Sequence, residues 1–330
     1  MPESIKTGSA NRALTDNMKF IRNKKKLVSK QFLLLFLLLF IYQNSLFSQK
    51  NISFFQKSDT LNKDRKKAVL LTESVGAGLT LLALNQLWYA DYPRSNFHFH
   101  NDNNEWLQMD KFGHTFSSYY IGKMGMDALD WAGASKKEQL LYGATLGFAF
   151  LTTVEIFDGF SEEWGFSTGD VIANGLGTGL LIGQEVLWDE QRIQLKFSFH
   201  TTSFAESYPD KLGENTLQQI LKDYNGQTYW LSVNLWSFFK ESGIPKWLNV
   251  AIGYGANGVP EDMFQTEIYP GKENQTYRQF YTSIDIDLTK IKTKSAFLKT
   301  TFNVLNFIKI PAPTLEFSRE NKFKFHYLYF

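Results

Sequence analysis

Polar residues able to do chemistry recur at helical spacing in three separate segments of the chain. In the stretch DKFGH, Asp110 and His114 are four residues apart, and residues at that spacing share one face of a helix. Two further segments, EIFD and STGDVIAN, repeat this kind of spacing. Together the three segments supply a candidate polar cluster: Asp110, Lys111, His114, Glu155, Asp158, Ser167, Asp170 and Asn174.

Three kinds of chemistry could use such a cluster. A histidine with carboxylates could bind a divalent metal, and the candidate ligands are His114, Glu155, Asp158 and Asp170. Alternatively, His114 held by Asp110 could act as a general base. The third interpretation, which we favour, is a network that fixes helix ends or binds a ligand without catalysing a reaction. The sequence requires no cofactor, although these residues could hold a divalent metal.

The sequence lacks the motifs of several enzyme classes. It has no nucleophile elbow, no HExxH zinc motif, no phosphate loop and no dinucleotide fingerprint. Enzymatic activity is therefore not expected, and the alternative is a metal-assisted or acid–base hydrolase acting on an envelope lipid or glycan. Just upstream, FHFHND places His98, His100 and Asp102 close together. We interpret that stretch as a surface loop, with a metal site as the alternative.

Four apolar segments predict the helices that must position the cluster: about Ala68–Tyr89, 110–131, 136–158 and 168–188. Ser135 and Glu138 predict a capping box before the third helix, and Ser167 predicts the cap of the fourth. In an up-and-down bundle, the starts of the second and fourth helices lie at the same end as the end of the third. This topology would bring the three polar segments together.

Small residues predict close packing between these helices. Gly143 and Gly147 are four residues apart, as are Gly175, Gly179 and Gly183, so each set should lie on one helical face. Glycine costs about 1 kcal/mol per helical position relative to alanine, so repeated glycines indicate that another backbone approaches closely. The interpretation is a compact, glycine-rich four-helix bundle, either embedded in a membrane or lying against one, with a water-soluble bundle as the alternative.

After Trp188 the pattern changes from helical to alternating. Segments with a period of two are typical of antiparallel strands. The six candidates are Arg192–His200, Thr228–Trp236, Leu248–Ala256, Arg278–Leu288, 314–318 and 322–330. Closed transmembrane barrels begin at roughly eight strands, so a small sheet or partial barrel is expected. The predicted fold class is α+β: a helical bundle followed by an antiparallel β region.

The front of the chain has the layout of a secretory signal peptide. Basic residues precede an apolar run from Phe32 to Tyr42, and a polar stretch ending at Ser48 and Gln49 follows. This run is too short for a bilayer core, which needs about 20 residues. The protein is therefore expected to be exported to the periplasm or outer membrane, with an uncleaved N-terminal anchor as the alternative.

Composition limits the partners and the chemistry. Residues 1–48 carry 8 of the 35 basic and 2 of the 33 acidic residues, which leaves 27 basic and 31 acidic residues beyond them. A mildly acidic body offers no electrostatic basis for nucleic-acid binding, so membrane or envelope components are the expected partners. The chain has no cysteine, which excludes disulfides, thiolate metal sites and a lipidated cysteine.

The three polar segments also resemble a known family. DKFGH, EIFD and STGDVIANGLG stand in the order and spacing of the YfiM-like family of predicted periplasmic lipoproteins of unknown function. A fainter resemblance is to VanZ-like membrane proteins, which share the first segment and a helix with the pattern of Asp170, Ala173, Asn174 and Gly177. The resemblance implies an envelope location and a helical architecture, but no activity.

These observations predict four parts. Residues 1–48 form a signal peptide with an N-terminal extension, and residues 49–67 form a polar linker. Residues 68–190 form the helical bundle, within which 110–188 is the YfiM-like core. Residues 191–330 form the β-rich region.

Overall fold

The computed structural model describes residues 54–86, 92–259 and 276–330. The predicted signal segment, residues 1–48, lies outside the described residues. By its contacts the chain divides into two units, one comprising residues 1–53 and 78–91 and the other residues 54–77 and 92–330. The second unit combines helices with an antiparallel sheet, so the predicted α+β class is confirmed.

Three of the four long helices form the helical core of the second unit. In chain order the long helices are α1 (Lys63–Leu84), α2 (Met109–Trp131), α3 (Lys136–Asp158) and α4 (Thr168–Trp188). Helices α2, α3 and α4 pack against one another pairwise, and Tyr119, Met126, Ala144 and Leu181 lie buried between them. Within α3, a π-helical stretch covers Gln139–Ala144. Within the described residues, α1 and α3 are long and apolar enough to cross a membrane.

The predicted four-helix bundle is not confirmed, because α1 joins the core only near its start. The buried side chains of α1 are Arg65 and Val69. The Arg65 guanidinium lies 4.3 Å from the ring centroid of Trp131, and Val69 packs in a small cluster with Leu129. Apolar side chains that follow, such as Leu71, are exposed. The apolar length of this helix therefore does not reflect burial in a bundle.

One of the two predicted glycine sets lies where backbones meet. A methyl group added at Gly143 would lie 2.5 Å from the backbone nitrogen of Met126, and one added at Gly147 would lie 2.0 Å from the carbonyl oxygen of Ser118. Both distances are far below any real contact of a Cβ atom. Only glycine therefore fits where α3 crosses α2.

The prediction that a backbone approaches the other glycine set closely is wrong. Added methyl groups at Gly179 and Gly183 would meet nothing described within 4 Å, and one at Gly175 would make an ordinary contact. The glycine of α4 that does meet α2 is Gly177, where an added methyl group would lie 2.1 Å from the carbonyl oxygen of Thr115. Spacing alone could not show which face of α4 the partner helix uses.

Two short strands, β1 (Phe99–His100) and β2 (Phe166–Ser167), pair with each other in parallel. The six predicted strands form one antiparallel sheet in chain order. Its strands are β3 (Ile193–Phe199), β4 (Gln227–Asn234), β5 (Leu248–Asn257), β6 (Tyr277–Ile286), β7 (Ala312–Ser318) and β8 (Lys322–Tyr329). Short helices lie in the connections: Ser203–Ser207, Pro209–Leu212, Thr216–Lys222, Leu235–Phe238 and Ala296–Leu305. The segment just before β7 lies along the outer edge of β3. There, the backbone of Phe197 in β3 exchanges hydrogen bonds with the backbones of Phe307 and Lys309. The sheet is thus partly closed.

The two faces of the sheet are inverted relative to those of an ordinary soluble protein. Apolar residues from β4 to β8 stand exposed on one face: Leu231, Ile252, Phe280, Ile284, Leu315, Phe317, Phe323 and Phe325. The buried face carries many polar residues: Gln194, Lys196, Ser232, Ser283, Asp285, Thr314 and Glu316. They lie beside a buried cluster of Trp230, Ala251, Tyr281 and Tyr329. The Nζ atom of Lys196 lies 2.8 Å from Asp285 Oδ2, and both side chains are fully buried. The sheet therefore has a largely polar interior, with one aromatic cluster, and an apolar exterior.

Candidate functional site

Lys111 lies at the centre of the polar cluster. Its Nζ atom is 2.6 Å from Asp102 Oδ1, 2.7 Å from Asp110 Oδ2 and 2.9 Å from Asp170 Oδ1. Burial alone would lower the pKa of Lys111, but its close contacts with these three carboxylates outweigh burial and raise that pKa above its usual value. The lysine therefore stays protonated and holds the start of α2 to the start of α4.

His114 lies one turn further along α2 and faces a second group of acceptors. Its Nδ1 atom is 3.1 Å from the side-chain oxygen of Asn174. Its Nε2 atom is 3.6 Å from Glu155 Oε1 and 3.8 Å from Asp170 Oδ1. Both distances exceed those of hydrogen bonds. The imidazole is thus fixed from one side by α4 and directed towards the two carboxyl groups from the other.

Ser167 connects the parts of the cluster through its backbone and its hydroxyl. It is the N-cap of α4, as predicted, and its Oγ atom accepts a hydrogen bond from the backbone N–H of Asp170 at 3.1 Å. The same hydroxyl donates to Asp102 Oδ1 at 2.7 Å. The backbone N–H of Ser167 donates to Glu155 Oε2 at 3.3 Å. One residue therefore caps α4 and also positions carboxyl groups from α3 and from the loop before α2.

The cluster contains more acid than base, and the pKa values of its carboxyl groups diverge. Burial, followed by the nearby charges of Asp170 and Asp158, raises the pKa of Glu155 to about 9. Burial also raises the pKa of Asp110, despite its pairing with Lys111. Burial opposes ionisation of Asp102 as well, but hydrogen bonds from Lys111 and Ser167 prevail and lower its pKa. Glu155 is therefore the acid that is hardest to ionise here.

Three buried atoms in the cluster have no hydrogen-bond partner among the described residues. They are Asp110 Oδ1, Asp170 Oδ1 and Asn174 Nδ2. Asp170 Oδ1 lies within ion-pair distance of Lys111, but the contact lacks hydrogen-bond geometry. A buried polar atom without a partner costs about 1–3 kcal/mol, so these atoms mark a place where the fold alone does not satisfy its polar groups.

A strained turn leads into α2 beside the cluster. Trp106, Leu107 and Gln108 have positive φ angles of 46°, 50° and 64°, which non-glycine residues rarely adopt. The sheet holds this turn: Tyr254 Oη donates to the carbonyl oxygen of Leu107 at 2.5 Å, and Arg278 donates to Gln108 Oε1 at 2.8 Å. Consecutive left-handed residues cost on the order of 1 kcal/mol each. The turn brings the loop that carries Asp102 onto the starts of α2 and α4.

The structure brings most of the predicted site residues together. Asp110, Lys111, His114, Glu155, Ser167, Asp170 and Asn174 all make the contacts described above. Asp158 lies at the end of α3, where its carbonyl oxygen accepts hydrogen bonds from the backbones of Ser161 and Gly165. The charge of its carboxylate helps to raise the pKa of Glu155. The functional role of the cluster stays a prediction.

The sequence interpretation missed Asp102. We expected a surface loop at FHFHND, and this holds for His98 and His100, which are exposed or paired locally. Asp102 is instead buried, because the short parallel pairing of β1 (Phe99–His100) with β2 (Phe166–Ser167) carries it towards Ser167. Two-residue strands leave too little alternation to be seen in a sequence.

Comparison with known proteins yields one family. A family model described as "Predicted periplasmic lipoprotein (DUF2279)" matches residues 98–183. That range begins just before Asp102 and includes every residue of the cluster. This is an exported protein of the cell envelope. Neither the curated proteins nor the solved structures contain a match.

The match agrees with the predicted export, periplasmic location and membrane association. The lipoprotein part of the description does not carry over, because lipid attachment of that kind needs a cysteine and this chain has none. The match gives no evidence for the YfiM-like or VanZ-like assignments specifically, so those finer resemblances stay predictions.

Proposed function

We propose that this exported envelope protein associates with a membrane through its apolar exterior, and that its polar cluster fixes the helical core and binds a ligand. The observation that carries the membrane part is the inversion of the sheet, with apolar side chains outside and charged side chains inside. In water, the hydrophobic effect favours the opposite arrangement.

The exposed apolar residues form rows across the strands, one of which is interrupted by Thr282 on β6. Leu231 pairs with Ile252 across β4 and β5, and Leu315 pairs with Phe325 across β7 and β8. Burying a large apolar side chain contributes roughly 1.5–3 kcal/mol, so even half-exposed rows leave on the order of 1 kcal/mol unrealised per residue in water. Contact with lipid removes that cost.

The helical core supports the same conclusion. Large apolar residues are exposed on all three of its helices, among them Met124, Leu141, Ile172 and Leu176. Meanwhile its buried positions include Asp110, Glu155, Asp170 and Asn174. Exposed apolar patches of this extent mark interaction or membrane surfaces. A membrane is the favoured partner because the apolar residues occur on the sheet and on the core helices alike.

Membrane association is tested by fractionation and by charge insertion. The wild-type protein is expected in the membrane pellet after washing with high salt, and to need detergent for extraction. Leu315→Lys and Phe317→Lys together should reduce the pelleted fraction, because each lysine would enter the apolar layer. Ser242→Lys, in an exposed polar turn, is the matched control and should leave the fraction unchanged.

Recovery of the wild-type protein in the soluble fraction would contradict membrane association. So would a double variant that stays pelleted like the wild type. A detergent-free oligomer of defined size, with the same surface protected, would assign the apolar face to a second copy of the chain instead.

The role of the cluster is tested by His114→Ala and Asp170→Ala. A network that fixes the core predicts lower abundance or a lower melting temperature for both variants. If both accumulate and melt normally while a cellular phenotype disappears, the structural role is refuted and the alternative, a metal-assisted or acid–base hydrolase, gains support.

A further inference from the structure

We infer that His114, Glu155 and Asp170 form a binding site for one zinc-type divalent cation. This inference rests on the proposed ligand-binding role of the cluster and names the class of its ligand. Each of the three side chains can present one ligand atom, and these atoms lie within 4.8 Å of one another. The three come from three different helices, so a bound cation would join α2, α3 and α4.

The spacing of the ligand atoms fits a tetrahedral site better than a hydrogen-bonded network. His114 Nε2 lies 3.6 Å from Glu155 Oε1 and 3.8 Å from Asp170 Oδ1. In a tetrahedral zinc site with bonds of about 2.0–2.1 Å, neighbouring ligand atoms are about 3.3–3.4 Å apart. These two distances are within a few tenths of an ångström of the tetrahedral spacing, and the third, between Glu155 and Asp170, is within 4.8 Å and would have to shorten by side-chain rotation. One nitrogen with two carboxylate oxygens is a donor set that suits zinc.

The hydrogen-bonding pattern leaves an acceptor where a cation would bind. With the Asn174 side-chain oxygen facing His114, Nδ1 carries the hydrogen of that bond, because an amide oxygen can only accept. In that tautomer of the neutral ring, Nε2 presents a lone pair towards two carboxyl oxygens. Asp170 Oδ1, on a side chain that is almost fully buried, lies 2.9 Å from the Lys111 ammonium group but accepts no hydrogen bond of good geometry. Acceptors thus converge from three sides on one point.

A proton on Glu155 would not resolve this arrangement. A protonated Glu155 could donate to His114 Nε2, but at 3.6 Å the two atoms are too far apart for a hydrogen bond. It would also leave Asp170 Oδ1 close to the Lys111 ammonium group but outside hydrogen-bond geometry. A divalent cation would satisfy all three atoms and offset the surplus of acidic groups.

The groups behind each ligand are those that metal sites use to orient their ligands. His114 donates Nδ1–H to Asn174, and Glu155 accepts the backbone N–H of Ser167 at 3.3 Å through its other oxygen. The backbone of Asp170 is fixed by the Ser167 hydroxyl. The neighbouring trio of Asp102, Asp110 and Asp170 could also hold a cation by its spacing. That position is filled by the ammonium group of Lys111.

Zinc binding by the purified full-length protein tests the inference. The protein is treated with a chelator in mild detergent, and ZnCl2 is then titrated by calorimetry and by equilibrium dialysis with elemental analysis. The expected result is one zinc per chain with a Kd in the micromolar range or below, and a melting temperature that rises with zinc.

Two variants and one control locate the site. Glu155→Gln keeps the size and hydrogen bonding of the side chain, and should weaken zinc binding at least about tenfold while the protein stays folded. His114→Ala should also weaken zinc binding at least about tenfold, in a protein that melts at a lower temperature than the wild type. His326→Ala is the matched control, because His326 also contacts a buried carboxylate, Glu316 at 2.8 Å, but belongs to no such trio.

Three outcomes would overturn the inference: no zinc bound at 100 times the protein concentration, binding unchanged in Glu155→Gln, or binding of Mg²⁺ or Ca²⁺ in preference to zinc. Membrane retention is measured on the same preparations. If the wild-type protein pellets with the membrane but binds no zinc, only the zinc inference is refuted. If the wild-type protein stays in the soluble fraction, the proposed membrane association is refuted.

Discussion

Gly177 and Gly179 lie two residues apart on α4, and the structure predicts opposite effects when each is replaced by alanine. At Gly179 the added methyl group meets nothing described within 4 Å. Alanine there removes the cost of a helical glycine, so the free energy of unfolding should rise by up to about 1 kcal/mol. Gly177→Ala gains the same helical preference but meets the backbone of α2.

The size of the clash at Gly177 follows from one distance. The added methyl group would lie 2.1 Å from the carbonyl oxygen of Thr115, whereas real Cβ contacts essentially never fall below 3.0 Å. Helices α2 and α4 must therefore separate by roughly 1 Å at their closest point. Overpacking costs about 1–3 kcal/mol, and a backbone partner that cannot rotate away favours the upper end. The net loss should be about 2 kcal/mol.

The two variants should therefore differ by about 3 kcal/mol, with opposite signs relative to the wild type. At 2–4 °C per kcal/mol, this is a difference of about 6–12 °C in melting temperature. Thermal unfolding in one detergent, followed by circular dichroism, measures both variants beside the wild type. Equal shifts, or shifts in the same direction, would show that α4 does not present Gly177 to α2.

Three further predictions concern charges and caps. Lys111→Met should destabilise the protein by about 3–5 kcal/mol, because it leaves buried carboxylates uncompensated. Lys57→Ala removes one partner of an exposed ion pair and should cost under about 1 kcal/mol. Denaturant titration measures the unfolding free energy of both variants. Ser135→Ala removes a cap and should lower the unfolding free energy by about 1 kcal/mol by the same assay. A hydrogen bond from Lys66, then one from Ser135, lower the pKa of Glu138 to about 2. Its stabilising effect is therefore present above about pH 4.5 and is lost as the pH falls towards 2, so melting curves of the wild type and Glu138→Gln should converge there.

The helical site could be predicted because its residues stand at helix ends. Capping residues such as Ser167, and i to i+4 pairs such as Asp110 with His114, are local features, and helix alternation then decides which ends meet. Asp102 could not be predicted in the same way. Its place depends on the left-handed turn at Trp106–Gln108 and on Tyr254 of the sheet, two elements that are about 150 residues apart in the chain.

In the sheet, the sequence predicts which residues share a face but not which face is buried. Alternation in β6 separates Phe280 and Ile284 from Ser283 and Asp285 correctly, but a period of two does not say which set faces inward. The deciding information lies in other strands. Lys196 on β3 supplies the charge that lets Asp285 be buried, and Ser232 on β4 donates a further hydrogen bond at 2.7 Å.

The two halves of the protein balance buried charge differently, and the difference favours the helical cluster as the ligand-binding part. In the sheet, Asp285 has two lysines near it, Lys196 at 2.8 Å and Lys309 at 4.0 Å, so this buried acid is compensated. In the helical core, one lysine lies beside three carboxylates, and the fourth, Glu155, contacts a histidine and the backbone N–H of Ser167 but pairs with no lysine or arginine among the described residues. Buried acids without a cation cost stability, either as uncompensated charges or, at Glu155, through the protonation that burial favours. A bound cation would supply the missing positive charge, so the zinc-free protein should be less stable than its zinc-bound form. Glu155→Gln should make this difference in stability smaller.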